Sequence, residues 1–223
     1  MSGDEMKYFQ AELLEEGWEK DAYWDTYGKR GEVAKRENRR RLCKWRIWFF
    51  ILPAVWQGVD PFAVGAQTYD SRESKIKAGF LFNFAKFVEW PESDPKSTTD
   101  TITIGILGKD PIGDYLEDAV QGKEVQGKKV AVRKFEDRTS LTPCHILYIA
   151  DSARDDIDEV LGILREASTL TVGADEGAFD QGCHIGFVIK ENKVKFIVNK
   201  ESAERAGLKF SSKILSVAEK VIG

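Results

Sequence analysis

TITIGIL at Thr101–Leu107, GKDPIG at Gly108–Gly113 and DYLEDAV at Asp114–Val120 decide the fold class. The first segment is β-branched and ends in a continuous apolar run, which predicts a strand buried on both faces. The second supplies a Gly-bearing turn, and the third predicts a short helix. Strand, turn and helix in this order predict an α/β domain with a covered sheet. The same order invites a nucleotide-site reading. Glycines at 105, 108 and 113 do not fit G-x-G-x-x-G, however, and no G-K-[ST] occurs.

Upstream lies Lys75–Pro91, KIKAGFLFNFAKFVEWP. Phe80, Phe84, Phe87 and Val88 are three or four apart, so they share one helical face, and Ile76 and Leu81 widen it. Pro91 predicts a helix ending at Trp90. Such an aromatic stripe reads first as core packing and second as a partner-binding face. Downstream, Val130–Phe135, Cys144–Ile149 and Leu170–Val172 read as strands, with a helix over Ala153–Glu166 capped by Asp151 or Ser152. Ile185–Ile189 and Val194–Val198 flank KENK and read as a hairpin. Ser211 is placed as the cap of a last helix running through Val221. The expected architecture is one three-layer α/β domain, a mixed sheet flanked by helices, over residues 67–223.

Residues 1–34 are a polar extension; an over-long gene start and a true cytoplasmic extension are the alternatives. Residues 35–66 read as an export signal. Between Lys29 and Arg46 nine residues are basic and two are acidic. The basic part of the signal is 35–46, and Ile47–Trp56 is an uncharged run of signal-core length. A spanning helix needs about 20 apolar residues. Val64 and Ala66 sit where a signal peptidase expects short side chains, so cleavage is expected between Ala66 and Gln67. An uncleaved anchor is the alternative. Arg39-Arg40-Arg41-Leu42-Cys43-Lys44 weakly resembles a twin-arginine signal.

From Gln67 on, 22 basic residues face 26 acidic ones, a balance unlike that of a nucleic-acid surface. This region holds two Cys-His pairs, Cys144-His145 and Cys183-His184. Each pair begins a strand, where neighbours point to opposite faces, so the four side chains do not converge on one metal ion. Cys144 and Cys183 on one face leave two readings open, a disulfide or two buried thiols. His145 reads as a hydrogen-bonded core residue. No nucleophile turn, calcium loop or cofactor motif is present, so the expectation is a protein that is not an enzyme and carries no cofactor.

Several segments together resemble the YfiR-like family of bacterial periplasmic proteins. Lys75–Pro91 is similar to its K-A-A-F-L-x-N-F-A-x-F-x-x-W-P, and Leu107–Gly113 to L-G-x-D-P-x-G, where the turn is a structural joint. Gly122–Val130 matches G-K-x-V-x-G-K-x-V, Cys144–Ile149 matches C-H-x-L-x-I, and Ala203–Leu215 is close to A-x-x-A-G-L-x-x-S-S-x-L-L. Cys183-His184 departs from the family's usual Gly-Met, so the resemblance implies no bridge to Cys144. What it does imply is a periplasmic regulator that binds the sensory part of a membrane-bound diguanylate cyclase and holds it inactive. A periplasmic small-ligand sensor or carrier feeding another receptor is the alternative, and a homodimer is a further partner state. Tyr115, Tyr148 and Phe179 are the aromatic anchors to seek at the surface, because a few buried aromatics usually dominate an interface.

Overall fold

The structure, a computed structural model, describes residues 63–223, with side chains from Ser71 on except Ser97. The polar extension 1–34 and residues 35–62 of the expected signal region 35–66 lie outside the described residues.

Helix α1 spans Ala63–Phe87. Its core stripe of Ala78, Leu81, Phe84 and Ala85 is buried against one face of the sheet. The Phe84 ring meets Phe196 edge-on with centroids 5.0 Å apart, and Phe80 meets the same ring at 5.3 Å. The helix stops three residues before the expected Trp90. Val88–Glu89 leaves it as strand β1, pairing antiparallel with Phe210 and Lys209 of β9. The Ser211 N–H donates to the Phe87 carbonyl at 3.0 Å, so a distant segment closes the helix end before Pro91 is reached.

The main sheet comprises β2 (Thr101–Leu107), β3 (Glu124–Val125), β4 (Lys128–Phe135), β5 (Ile146–Ile149), β6 (Leu170–Gly173), β7 (Ile185–Lys190), β8 (Lys193–Asn199) and β10 (Lys220–Ile222). Its order is β10-β8-β7-β6-β5-β2-β4-β3. Strands β4, β2, β5, β6 and β7 run parallel, while β3 and β8 are antiparallel to their hairpin partners β4 and β7. The β7–β8 turn, Glu191-Asn192, has φ of 53° and 62°, the left-handed pair that a two-residue hairpin demands.

Alternation along the strands divides the core in two. Ile102, Ile104, Ile106, Ile146, Tyr148, Leu170, Val172, Ile185 and Phe187 face α1 and α2 (Ile112–Val120). Leu107, Leu147 and Ile149 face the other way, toward α3 (Ile157–Ile163) and α4 (Glu176–Asp180). Helices on both faces of a mixed sheet make the expected three-layer α/β domain.

Four local expectations are corrected. The helix over Ala153–Glu166 is a 3-10 segment, Asp151–Asp156, leading into the shorter α3. Ala153 sits off the helical region at φ −114° and ψ 19°. Ser152 does not cap it: its Oγ accepts the Lys109 N–H at 2.7 Å, tying the turn after β5 to the turn after β2. The last helix, α6 (Ser212–Val217), starts at the expected place, but the Ser211 side chain makes no capping bond. Val221 lies beyond it in β10, paired with Val198. Two short helices capped by their own side chains were not anticipated: α4, with Asp175 Oδ1 on Ala178 N, and α5 (Lys200–Arg205), with Asn199 Oδ1 on Ser202 N.

Candidate functional site

The two Cys-His pairs immediately precede β5 and β7, and each does the same structural work. His145 Nδ1 accepts the Thr103 N–H of neighbouring β2 at 3.1 Å. His184 Nδ1 accepts the Thr171 N–H of neighbouring β6, also at 3.1 Å. Thr171 Oγ1 in turn accepts the His184 N–H at 3.1 Å. An accepting Nδ1 places the neutral ring's proton on Nε2. Burial pushes the His184 pKa down to about 4, and the Arg205 charge acts in the same direction. Burial also lowers His145, helped by the charge of Lys96. The Trp90 ring stands edge-on to His145 at 5.4 Å, and its Nε1–H donates to the His145 carbonyl at 3.2 Å. His145 is therefore the hydrogen-bonded core histidine expected from its apolar strand.

The cysteines point into the opposite core layer, as the alternation required. Both are buried free thiols in this structure. The topology favours the thiol reading. Strand β6 lies between the strands that the two residues precede, and residues two strands apart are about 10 Å from one another, beyond the reach of a disulfide. Burial pushes both thiols up to about 12, so neither is an ionised nucleophile near neutral pH. Among the described residues no three His, Cys, Asp or Glu side chains are grouped to hold a metal ion.

The other candidate is the carboxyl end of the parallel strands, where the connection from β2 goes to β4 and that from β5 goes the other way to β6. Open α/β sheets tend to bind ligands at such a reversal. Here the chain fills the place itself. Gly108 turns at φ +88°, and a Cβ there would come within 2.6 Å of Ser152 Oγ, so the turn is a tight joint. Asp110 Oδ1 accepts the Ile112 N–H at 2.8 Å at the start of α2, where an anion would otherwise bind. Its Oδ2 accepts the Tyr148 hydroxyl at 2.9 Å. Burial, then the nearby Asp110 charge, raises the Tyr148 pKa well above the ordinary phenol. Lys77 Nζ donates to the Ala174 carbonyl at 3.0 Å and pairs with Glu73 at 2.6 Å, closing the adjoining end of β6.

Of the three aromatics proposed as surface anchors, Tyr148 is 0% exposed and Phe179 is 7% exposed, so both are core residues. Tyr115 is half-buried, with Lys75 Nζ 5.4 Å from its ring. Among the described residues, the large apolar side chains that do reach the surface are Ile163, Ile189, Val221 and Ile222. The Ala66–Gln67 bond lies near the start of α1. No described helix is long and apolar enough to cross a membrane.

None of the curated proteins matches the chain. Among solved structures, the ABC domain in complex with L-Trp from Streptococcus pneumonia is 13% identical with a TM-score of 0.41, covering 54% of this chain and 55% of that one. A conserved domain protein from Vibrio cholerae O1 biovar El Tor is 14% identical with a TM-score of 0.41, covering 53% and 54%. The chain thus spans about half the length of each. The sequence pattern described as YfiR/HmsC-like matches residues 74–219, from inside α1 to the residue before β10, and so takes in the α1 stripe, both Cys-His pairs and nearly all of the sheet. The chain belongs to the YfiR/HmsC-like family.

Proposed function

We propose that the protein is a periplasmic regulatory binding protein that restrains the periplasmic part of a membrane-bound diguanylate cyclase. The family match over residues 74–219 carries this reading, since the family is generally regulatory and periplasmic. The chemistry of the domain fits it. Both imidazoles accept backbone N–H groups, both thiols are buried and protonated, and Tyr148 and Asp110 are bonded to each other. These groups are spent on rigidity, and a regulator of this kind needs only a surface. Export through residues 35–66, with cleavage after Ala66, would deliver the domain to its partner.

Deleting the gene tests the reading. Cyclic-di-GMP and surface attachment rise in the deletion strain. An exported copy reverses both, and a copy lacking residues 39–66 reverses neither. Unchanged cyclic-di-GMP under several growth conditions would overturn the cyclase reading and leave the small-ligand sensor, which a ligand-induced rise in melting temperature would then reveal.

A further inference from the structure

Strand β4 is paired along its whole length on one side only. On its inner side it matches β2 from Thr101↔Lys129 to Leu107↔Phe135. On its outer side β3 pairs with Lys128 and Lys129, a register that sets Lys123 opposite Val130 and leaves the strand uncovered from Val132 on. Two bonds fix which backbone groups point where. Lys129 N–H donates to the Asp100 carbonyl at 3.0 Å, and Gly108 N–H donates to the Phe135 carbonyl at 2.9 Å. Odd-numbered residues of β4 therefore turn their N–H and C=O toward β2, and even-numbered residues turn theirs outward. The outward groups of Val132 and Lys134 meet no backbone or side-chain partner among the described residues.

The side chains along this edge select what can pair with it. Val130 and Val132 are half-buried and pack on the core at the α1 face. Lys129 and Arg133 project from the other face and are exposed. Lys123–Lys134 holds five basic residues and one acidic residue, Glu124. Some of these charges are engaged: Lys134 pairs with Asp114 and Glu117, and Arg133 donates to Thr142 Oγ1. Lysines on an edge discourage unselective pairing. A second copy of this chain is a poor occupant. Two β4 edges paired antiparallel about Ala131 would set Lys128 opposite Lys134 and Lys129 opposite Arg133, and like charges directly opposed destabilise a ladder.

We propose that the outer edge of β4, Val130 to Lys134, docks an extended acidic segment of a partner protein as an added strand. Its apolar side chains would lie beside Val130 and Val132, and its carboxylates beside Lys129 and Arg133. Backbone bonds supply the affinity in this mode and alternate side chains the selectivity. The proposal does not depend on which receptor the domain serves.

Amide exchange on the full chain tests it, with a capped hexapeptide of alternating valine and glutamate as probe and a valine–lysine hexapeptide as control. In the free protein the Val132 and Lys134 amides exchange at least about tenfold faster than those of Ala131 and Arg133, because only the latter are bonded to β2. The glutamate peptide slows Val132 and Lys134 by at least about tenfold, and the lysine peptide does not. Val132→Pro, which removes an outward N–H and none of the backbone bonds to β2, abolishes binding of the labelled peptide. Lys129→Glu combined with Arg133→Glu shifts the preference to the lysine peptide. Equal protection at all four amides in the free chain would overturn the proposal, whether or not the proline variant folds. So would no added protection at about 1 mM peptide, a concentration that detects even weak docking.

Discussion

His184 Nδ1 accepts the backbone N–H of Thr171 while Thr171 Oγ1 accepts the backbone N–H of His184, so the two residues lock the starts of β7 and β6 to each other. A proton on Nδ1 would break the first of these bonds and bury a charge near Arg205.

Acid should therefore loosen the domain well above the carboxylate range. In the unfolded chain His184 takes up a proton near its ordinary pKa of 6.5, and in the fold only near about 4. The unfolded state binds more protons between these values, so stability is fullest above pH 6.5 and falls as pH drops toward about 4. The contribution at stake is on the order of 3 kcal/mol. His145, lowered in the same direction, adds to the loss. Urea denaturation at pH 7.5 and pH 4.5 measures it. His184→Asn keeps an acceptor near the Nδ1 position without titrating, and its stability should vary less over that range than the wild type's. Equal pH dependence in the two proteins would remove His184 as the cause.

Tyr148 serves the fold. Tyr148→Phe deletes the bond to Asp110 and should cost about 1 kcal/mol, because Asp110 is partly exposed and water can replace the hydroxyl. Tyr148→Ala opens a cavity under α1 and should cost about 3–5 kcal/mol. Both values come from chemical denaturation. Partner binding should survive Tyr148→Phe, since the ring is inaccessible.

Thiol titration of denatured, unreduced protein should give two free thiols per chain cleaved after Ala66. A count of zero would mean that Cys144 and Cys183 are bridged after all, which would require β6 to be displaced from between their strands.

N-terminal sequencing of protein from the periplasmic fraction should begin at Gln67 or within a few residues of it. Intact residues 1–40 on soluble cytoplasmic protein would contradict export.

Much of this architecture was legible because it is encoded locally. TITIGIL reads as a strand buried on both faces, and the hairpin at Glu191-Asn192 falls where the apolar alternation breaks. What was not legible depends on distant contacts. Phe87 ends α1 because Ser211 and β9 reach it across the chain. Val221 keeps a helical spacing with Ile214 and Val217, yet pairs with Val198 in the sheet. Ser152 looks like a helix cap until the turn at Lys109 claims its hydroxyl. Some signals were present and passed over. Asp175 and Asn199 are ordinary cap residues ahead of short helices. Tyr148 lies in an uninterrupted apolar run, the pattern of a strand covered on both faces, which argued against a surface role. The β4 edge is a different kind of feature. Its basic residues are plain in the sequence, but that no further strand among the described residues covers it is a property of sheet order alone.

The most direct test of the regulatory account is cyclic-di-GMP synthesis by membrane vesicles that carry the cyclase with its periplasmic part accessible, assayed with and without the purified protein. The account predicts a saturable fall in synthesis as the protein is added, and no fall when the cyclase lacks its periplasmic part. Synthesis that stays constant at saturating protein, or that falls equally without the periplasmic part, would contradict it.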